Sequence, residues 1–275
     1  MDLQLKDKLA LITGSTAGIG YAIAEALARE GARVIVNGRT DTAVAEAISR
    51  IGGGALGFAG DLSNAAKADE LARKYPDVDI LVNNLGIFEP KPFEAIPDED
   101  WRRFFDVNVL SGVRLARAFL PGMKRRNWGR IIFISSESAI QIPAEMIHYG
   151  MTKTAQLSVA RGLAESLAGT RITVNCVLPG PTRSRGVEDF VNSMAKAQNK
   201  TGQQIEKEFF EHVRPTSLLK RWITPEEVGS FVTYIASPLA SDHGSRPPRG
   251  RRCSKERVLA DRRLQLGLAG RRLVL

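Results

Sequence analysis

Tyr149 and Lys153 stand four residues apart in the string HYGMTK, within a stretch that reads as a helix from about residue 148 to about residue 168. Four residues is about one helical turn, so the two side chains share a face. A phenol beside an ammonium is a proton-transfer pair, because the cation favours phenolate and is expected to lower the tyrosine pKa towards neutrality. Thirteen residues before Tyr149 comes Ser136, whose hydroxyl can hold a substrate oxygen near that phenol. Taken alone, the Tyr-x-x-x-Lys spacing also fits a solvated helix face. The serine at the end of a strand is what gives the spacing chemical sense.

The elements that must position this trio can be read around it. Residues 131–134 (IIFI) form a continuous apolar run of mostly β-branched residues, as in a strand covered on both faces; Ser135 and Ser136 end it, and a loop carrying Pro143 returns the chain to the helix. The same strand-then-helix alternation runs through the chain. Apolar runs at 9–13, 33–37, 55–59, 79–82 and 171–177 read as further strands. Helical patterns lie between them, over 41–51, 65–75 and 98–126, with a last clear helix opening at Thr224-Pro225-Glu226-Glu227, where threonine serves as N-cap and proline as first helical residue. Neither an internal repeat nor a break in composition appears before residue 241. This pattern predicts one α/β domain built on a doubly wound parallel sheet.

A second site is expected at the first strand-to-helix turn, Gly14-Ser15-Thr16-Ala17-Gly18-Ile19-Gly20. Glycines there let the backbone approach a pyrophosphate seated at the helix N-terminus. The spacing is G-x-x-x-G-x-G, not the common G-x-G-x-x-G. At the end of the second strand, where NAD-preferring folds place an acid against the ribose hydroxyls, the chain carries Gly38 and then Arg39. A guanidinium suits a 2′-phosphate, so NADP(H) is favoured over NAD(H). The other reading of Arg39 is a solvated loop residue.

Together the glycine loop, Ser136, Tyr149 and Lys153 resemble the short-chain dehydrogenase/reductase family, over residues 8 to 241. The resemblance implies a Rossmann-like single domain and a hydride exchange between a nicotinamide cofactor and a carbonyl or secondary alcohol, with Tyr149 as general acid/base. It implies a cofactor role for Asp61 and Leu62 beside the adenine (Asp61 alternatively caps the next helix), and for Asn84 in Asn-Asn-Leu-Gly, where Leu85 replaces the family's alanine. Pro179, Gly180 and Thr182 resemble the family's turn beside the nicotinamide, and Tyr149 and Lys153 also face the cofactor. Asn108 matches the asparagine that bends its helix and holds a relay water; a structural kink alone is the other reading. Residues 186–213 match a mobile substrate lid with Phe190, Met194, Ile205, Phe209 and Phe210 as its apolar stripe. The resemblance also implies a dimer or homotetramer.

Composition narrows the rest. Hydrophobic residues make up 43% and charged residues 25% of the 275, as in ordinary soluble globular chains. No apolar run approaches the roughly 20 residues that span a bilayer, and the N-terminus runs straight into a strand, so neither a membrane span nor a secretory signal is expected. Two cysteines, Cys176 in an apparently buried strand and Cys253, fit a reducing cytoplasm, and no metal site is expected. The net charge of +9 does not indicate nucleic acid, because residues 242–275 hold ten Lys/Arg against three Asp/Glu, which leaves the rest nearly neutral. In that tail the resemblance ends. A shifted reading frame from residue 242 permits the family's last strand and its Val-Asp-Gly-Gly; the alternative is a genuine basic tail. Either way the tail is expected to be poorly ordered and to weaken assembly. A nucleotide-binding protein without turnover is the alternative function. Ile140, Ile142, Met146 and the lid phenylalanines suggest an apolar substrate pocket or plain core.

Overall fold

The structure is a computed structural model that describes residues 1–183 and 185–242. Six strands form one sheet: β1 (Leu9–Ile12), β2 (Arg33–Gly38), β3 (Leu56–Ala59), β4 (Ile80–Asn83), β5 (Gly129–Ile134) and β6 (Ile172–Val177). Their spatial order is β3-β2-β1-β4-β5-β6, and all five pairings are parallel. The six apolar runs are thus strands, with ends within two residues of the predicted ones. They lack in/out alternation because helices cover both faces.

On one face, α1 (Gly18–Arg29) and α9 (Pro225–Ala236) pack over β1, β4 and β5; Ile23, Leu27, Val228, Val232 and Ile235 meet Ile12, Val82 and Ile132 there. On the other face, α3 (Ala65–Lys74), α5 (Ser111–Arg126) and α6 (Ile147–Ser166) bury Leu71, Leu115, Phe119 and Ala160 against Leu11, Leu81, Ile131 and Phe133. Between them in sequence, α2 (Asp41–Ile51) opens on the Thr40 hydroxyl, and α4 (Asp98–Phe105) runs through a π-helical turn, Asp106–Leu110, into α5. Residues 186–213 hold two helices, as expected. They are α7 (Arg185–Gln198) and α8 (Gly202–Glu208), the latter opened by a Thr201/Gln204 capping box and closed by a second π-helical turn, Phe209–Val213. Thr224 and Glu227 form the capping box of α9 with Pro225 at its first position. A four-residue helix, α10 (Leu239–Asp242), ends the described part.

Two expectations are corrected, for Asp61 and Cys176, and one open alternative is decided. The helix after β3 is capped by Asn64, whose Oδ1 accepts from the Ala66 N–H, while Asp61 turns its carboxylate to the Ser63 N–H and hydroxyl. Of the two readings of the lid phenylalanines, pocket wall or core, Phe209 and Phe210 take the second. They stack with Trp222 at ring separations of 4.5 and 5.2 Å and form a small core under α8. Cys176 is half-buried, not buried, on β6. The expectations for the basic tail after Asp242, for Cys253 and for the Phe190 ring lie outside the described residues. Among the described residues no helix is long and apolar enough to cross a membrane.

Candidate active site

The sheet order reverses between β1 and β4, so their C-terminal ends diverge and leave a crevice, the place where open α/β sheets bind ligands. The glycine loop lies there, and side chains from three strands shape it. The Asn37 Oδ1 accepts from the Gly14 N–H at 3.1 Å, and its Nδ2 donates to the Phe58 and Gly60 carbonyls. Asn84 donates from Nδ2 to the carbonyls of Thr13 and Gly14, and the Thr13 hydroxyl accepts from the Asn84 and Leu85 N–H groups. Ser15 is fully buried: its hydroxyl donates to the Ile12 carbonyl at 2.7 Å and accepts from the Asn37 N–H. Its side chain therefore shapes the loop. A Cβ on Gly20 would collide with the Gly14 carbonyl and stand 2.5 Å from the Asn84 Nδ2, so only glycine fits. Ala17, the N-cap of α1, supplies no side-chain bond to the helix end. The first-turn N–H groups of Gly18, Ile19 and Gly20 are left to a ligand, at the positive end of the helix dipole.

Ser136, Tyr149 and Lys153 converge at the neighbouring ends of β5 and α6. The Ser136 hydroxyl is close enough to the Tyr149 phenol to lower its pKa, and its Oγ accepts from the Ser138 N–H at 3.1 Å. The Lys153 ammonium is buried, donates to the Ile134 carbonyl at 2.9 Å and lies 5.5 Å from the Tyr149 ring centre. Ser135, the other serine of the pair, is spent on the Lys153 carbonyl at 3.0 Å and so fastens strand to helix. The electrostatics differ from expectation. Burial raises the Tyr149 pKa above its ordinary value, the Ser136 hydroxyl lowers it, and the nearby Glu137 carboxylate raises it again. Burial acts on Lys153 as well and pulls its pKa down to about 8. Without a ligand the phenol thus stays protonated, which is the form a proton donor needs. The half-buried Cys176 thiol, pushed up to about 12 by burial, donates to the Gln156 carbonyl at 3.6 Å.

Asn108 lies in the π-helical turn, 1% exposed. Its side chain is fully committed: Nδ2 donates to the Ile87 carbonyl and the Thr152 hydroxyl, and Oδ1 accepts from the Ile87 N–H. These bonds join the loop after β4 to α6. The Asn108 carbonyl accepts from Gln156 Nε2 at 2.6 Å. Neither Gln156 nor Thr152 was singled out from sequence; they lie one helical turn from Lys153 and Tyr149, and nothing in their types marks them as polar partners.

Among the other expected residues, Thr182 is 8% exposed and donates to the Gly180 carbonyl, in the turn Pro179–Pro181 that follows β6. Glu137 N–H donates to the Pro179 carbonyl, which brings that turn next to Ser136. Leu62 is buried in the core beneath α3, which leaves only its backbone free. Arg39 is exposed at the end of β2. Leu85 packs partly buried between the glycine loop and the core, with its Cα 3.5 Å from a Cβ position on Gly14. A separate groove of about 390 Å³ lies between α7 and α8, lined by Val187, Val191, Glu206 and Trp222 among others, and holds none of the Ser136–Tyr149–Lys153 group.

Residues 8–195 match the family described as short chain dehydrogenase, a span that takes in the glycine loop and the Ser136–Tyr149–Lys153 group. This chain belongs to that family.

Short-chain dehydrogenase relatives align over most of its length. The oxidoreductase YvaG of Bacillus subtilis is 50% identical over 246 residues, 88% of this chain and 93% of its own. The D-beta-hydroxybutyrate dehydrogenase of Cupriavidus necator is 34% identical over 243 residues, 86% and 93% of the two chains. Among solved structures, L-sorbose reductase from Gluconobacter frateurii, complexed with NADPH and L-sorbose, superposes with a TM-score of 0.82 at 30% identity, covering 88% of this chain and 94% of its own. The protein is therefore an NAD(P)-dependent short-chain dehydrogenase/reductase that interconverts CH–OH and C=O groups on small molecules. The site fits such a cofactor on its own evidence: an uncapped helix N-terminus, a glycine that admits no Cβ, and a buried ammonium that gives one of its three donors to a carbonyl.

Proposed function

We propose that this enzyme is an NADP(H)-dependent carbonyl reductase or alcohol dehydrogenase in which Tyr149 is the general acid/base. The convergence of the Ser136 hydroxyl, the Tyr149 phenol and the buried Lys153 ammonium, 5.5 Å from the phenol ring centre, carries the reading. Bound nicotinamide supplies or accepts the hydride. In reduction, Ser136 donates to the substrate oxygen and Tyr149 gives it a proton. Lys153 keeps donors for the ribose hydroxyls and favours the phenolate that remains. Asn108 holds the loop after β4 against α6, and the second lone pair of its carbonyl holds the water that returns a proton to Lys153. Gly14, Ser15, Thr16, Gly18, Ile19 and Gly20 form the pyrophosphate loop, Asp61, Leu62 and Asn84 border the adenosine side, and Pro179, Gly180 and Thr182 border the nicotinamide. Residues 186–213 act as the substrate lid, and the enzyme works in the cytoplasm as a dimer or tetramer.

The test is NADPH oxidation with a panel of ketones beside a cofactor-binding titration. Binding without oxidation of any ketone supports a nucleotide-binding protein without turnover instead.

Arg39 supplies the NADP(H) preference in this reading, because it is exposed at the end of β2 where a 2′-phosphate would lie. NADPH is expected to bind more tightly than NADH, and Arg39→Ala to remove most of the difference. A charge-assisted hydrogen bond contributes about 1.5–3 kcal/mol, roughly tenfold to a hundredfold in affinity. Equal affinity of the parent protein for the two cofactors rules this role out.

The two directions should also differ in pH dependence. Oxidation needs the phenolate, and burial raises the Tyr149 pKa. Below that pKa the phenolate fraction grows about tenfold per pH unit, so kcat/KM for alcohol oxidation should climb steeply above neutrality. Reduction needs the phenol, which is already protonated there, so its profile should be flat through neutrality and fall only in alkali. An oxidation profile that is flat from neutrality into the alkaline range would contradict Tyr149 as the base.

A further inference from the structure

Glu137 directly follows Ser136, and the mechanism above does not use it. Its side chain is 25% exposed and placed by three contacts. Oε1 accepts from the Arg214 Nε at 3.3 Å. Oε2 lies 3.6 Å from a Cβ position on Gly180, in the turn after β6. The carboxylate is near enough to Tyr149 to act on its phenol electrostatically. Glu137 thus stands between the reacting pair and the turn Pro179–Pro181. Among the described residues no donor reaches Oε2. A half-buried carboxylate oxygen with no donor, one residue from the serine that holds the substrate oxygen, is an acceptor waiting for a hydroxyl or an amine.

The surrounding charge narrows the choice. Arg214 is shared between two carboxylates, Glu137 and, from Nη2 at 3.5 Å, Glu145. Of the other cations, Lys153 is buried beside Tyr149 and Lys91 is held by Asp100 and Glu89. The two carboxylates Glu137 and Glu145 are thus set against two cations, Arg214 and the buried Lys153, so no net charge rewards an ionised substrate, and a carboxylate or phosphate placed on Glu137 Oε2 would meet like charge. The remaining wall is apolar. The Phe88 ring, 61% exposed, meets Tyr149 edge-on at 6.3 Å, and Ile142 covers Gly150.

Building on the assignment of Ser136 and Tyr149 as the reacting pair, we infer that the substrate is a neutral ketone bearing a hydroxyl next to the carbonyl, of the hydroxyketone or ketose class, and that Glu137 Oε2 accepts that hydroxyl. Oxidation would then take the corresponding vicinal diol. Keto acids and phosphorylated ketones are disfavoured by like charge at the same carboxylate, and acyl thioesters because they offer it no hydroxyl.

The test uses the full chain and NADPH, with hydroxyacetone and butanone as a matched pair that differ by a hydroxyl and a methyl. Acetoacetate, an acetoacetyl thioester and aminoacetone complete the panel. The expected kcat/KM for hydroxyacetone exceeds that for butanone at least about tenfold, since a site built to bond a hydroxyl discriminates strongly against an analogue lacking it. Glu137→Ala should shrink that ratio about tenfold, mainly through KM for hydroxyacetone. Glu137→Gln, which keeps the shape and one acceptor oxygen, should shrink it less and improve acetoacetate. A parent enzyme that prefers acetoacetate, the thioester or aminoacetone overturns the inference, as does a ratio unmoved in both variants. No NADPH oxidation with any ketone, the parent still binding NADPH, would overturn the proposed function itself and is read separately.

Discussion

Tyr149→Phe is expected to lower kcat by about a hundredfold to ten-thousandfold, the usual range for losing a positioned proton donor, while NADPH affinity changes little. The substitution removes one oxygen. The ring keeps its edge contact with Phe88, and α6 keeps its place, because the Ser135 hydroxyl bonds the Lys153 carbonyl and Thr152 bonds the Tyr149 carbonyl, neither through the phenol. Lys153→Ala should behave differently. It removes the ammonium proposed to hold the ribose as well as the cation beside the phenol, so kcat and cofactor affinity should fall together. Stopped-flow turnover and a fluorescence titration of NADPH separate the two patterns. Near-parent turnover by the phenylalanine variant on a good substrate would mean that the proton comes from elsewhere.

The parts of this site that spacing can encode were legible beforehand. Four residues on a helix put Tyr149 and Lys153 on one face whatever surrounds them, and IIFISS announces a buried strand ending in hydroxyls. The glycine loop was legible for the same reason, since a strand, three spaced glycines and a helix leave few geometries. What spacing does not encode is how far each group is buried and which partner takes it. The phenol was expected to drop in pKa beside Lys153, and it rises, because its own burial is the largest effect on it; burial also draws the ammonium down. Asn108 was marked as a bend in a helix, but the number of bonds its side chain makes depends on Ile87 and Thr152 arriving from distant segments. Phe209 and Phe210 made a convincing apolar stripe, yet a stripe does not say whether it faces a ligand or, as here, Trp222. Glu137 carried no signal at all. A glutamate after a serine acquires meaning only when Arg214, 77 residues later in sequence, folds back onto it.

Gly20→Ala is expected to cost the most for the smallest change. The added methyl has no room. It would collide with the Gly14 carbonyl, stand 2.5 Å from the Asn84 Nδ2 and 3.0 Å from the Ser15 Cα. Two of these neighbours are backbone of the loop itself, and the third is an amide that bonds the Thr13 and Gly14 carbonyls, so none can swing aside cheaply. Overpacking of this kind typically costs about 1–3 kcal/mol, here by pushing the loop away from the end of β4. The same displacement spoils the aim of the first-turn N–H groups, so NADPH affinity should fall by about a hundredfold or more, roughly the loss of two charge-assisted hydrogen bonds. Gly18→Ala is the informative comparison. At Gly18 nothing lies within 4 Å of the added methyl, but φ is +57°, so the cost is conformational, about 1–2 kcal/mol, with no steric push on Asn84. Thermal melting and NADPH titration of both variants should therefore rank Gly20→Ala as the weaker binder. If Gly20→Ala binds NADPH within a few-fold of the parent while Gly18→Ala does not, the close packing of Gly14, Gly20 and Asn84 is not what sets the cofactor site.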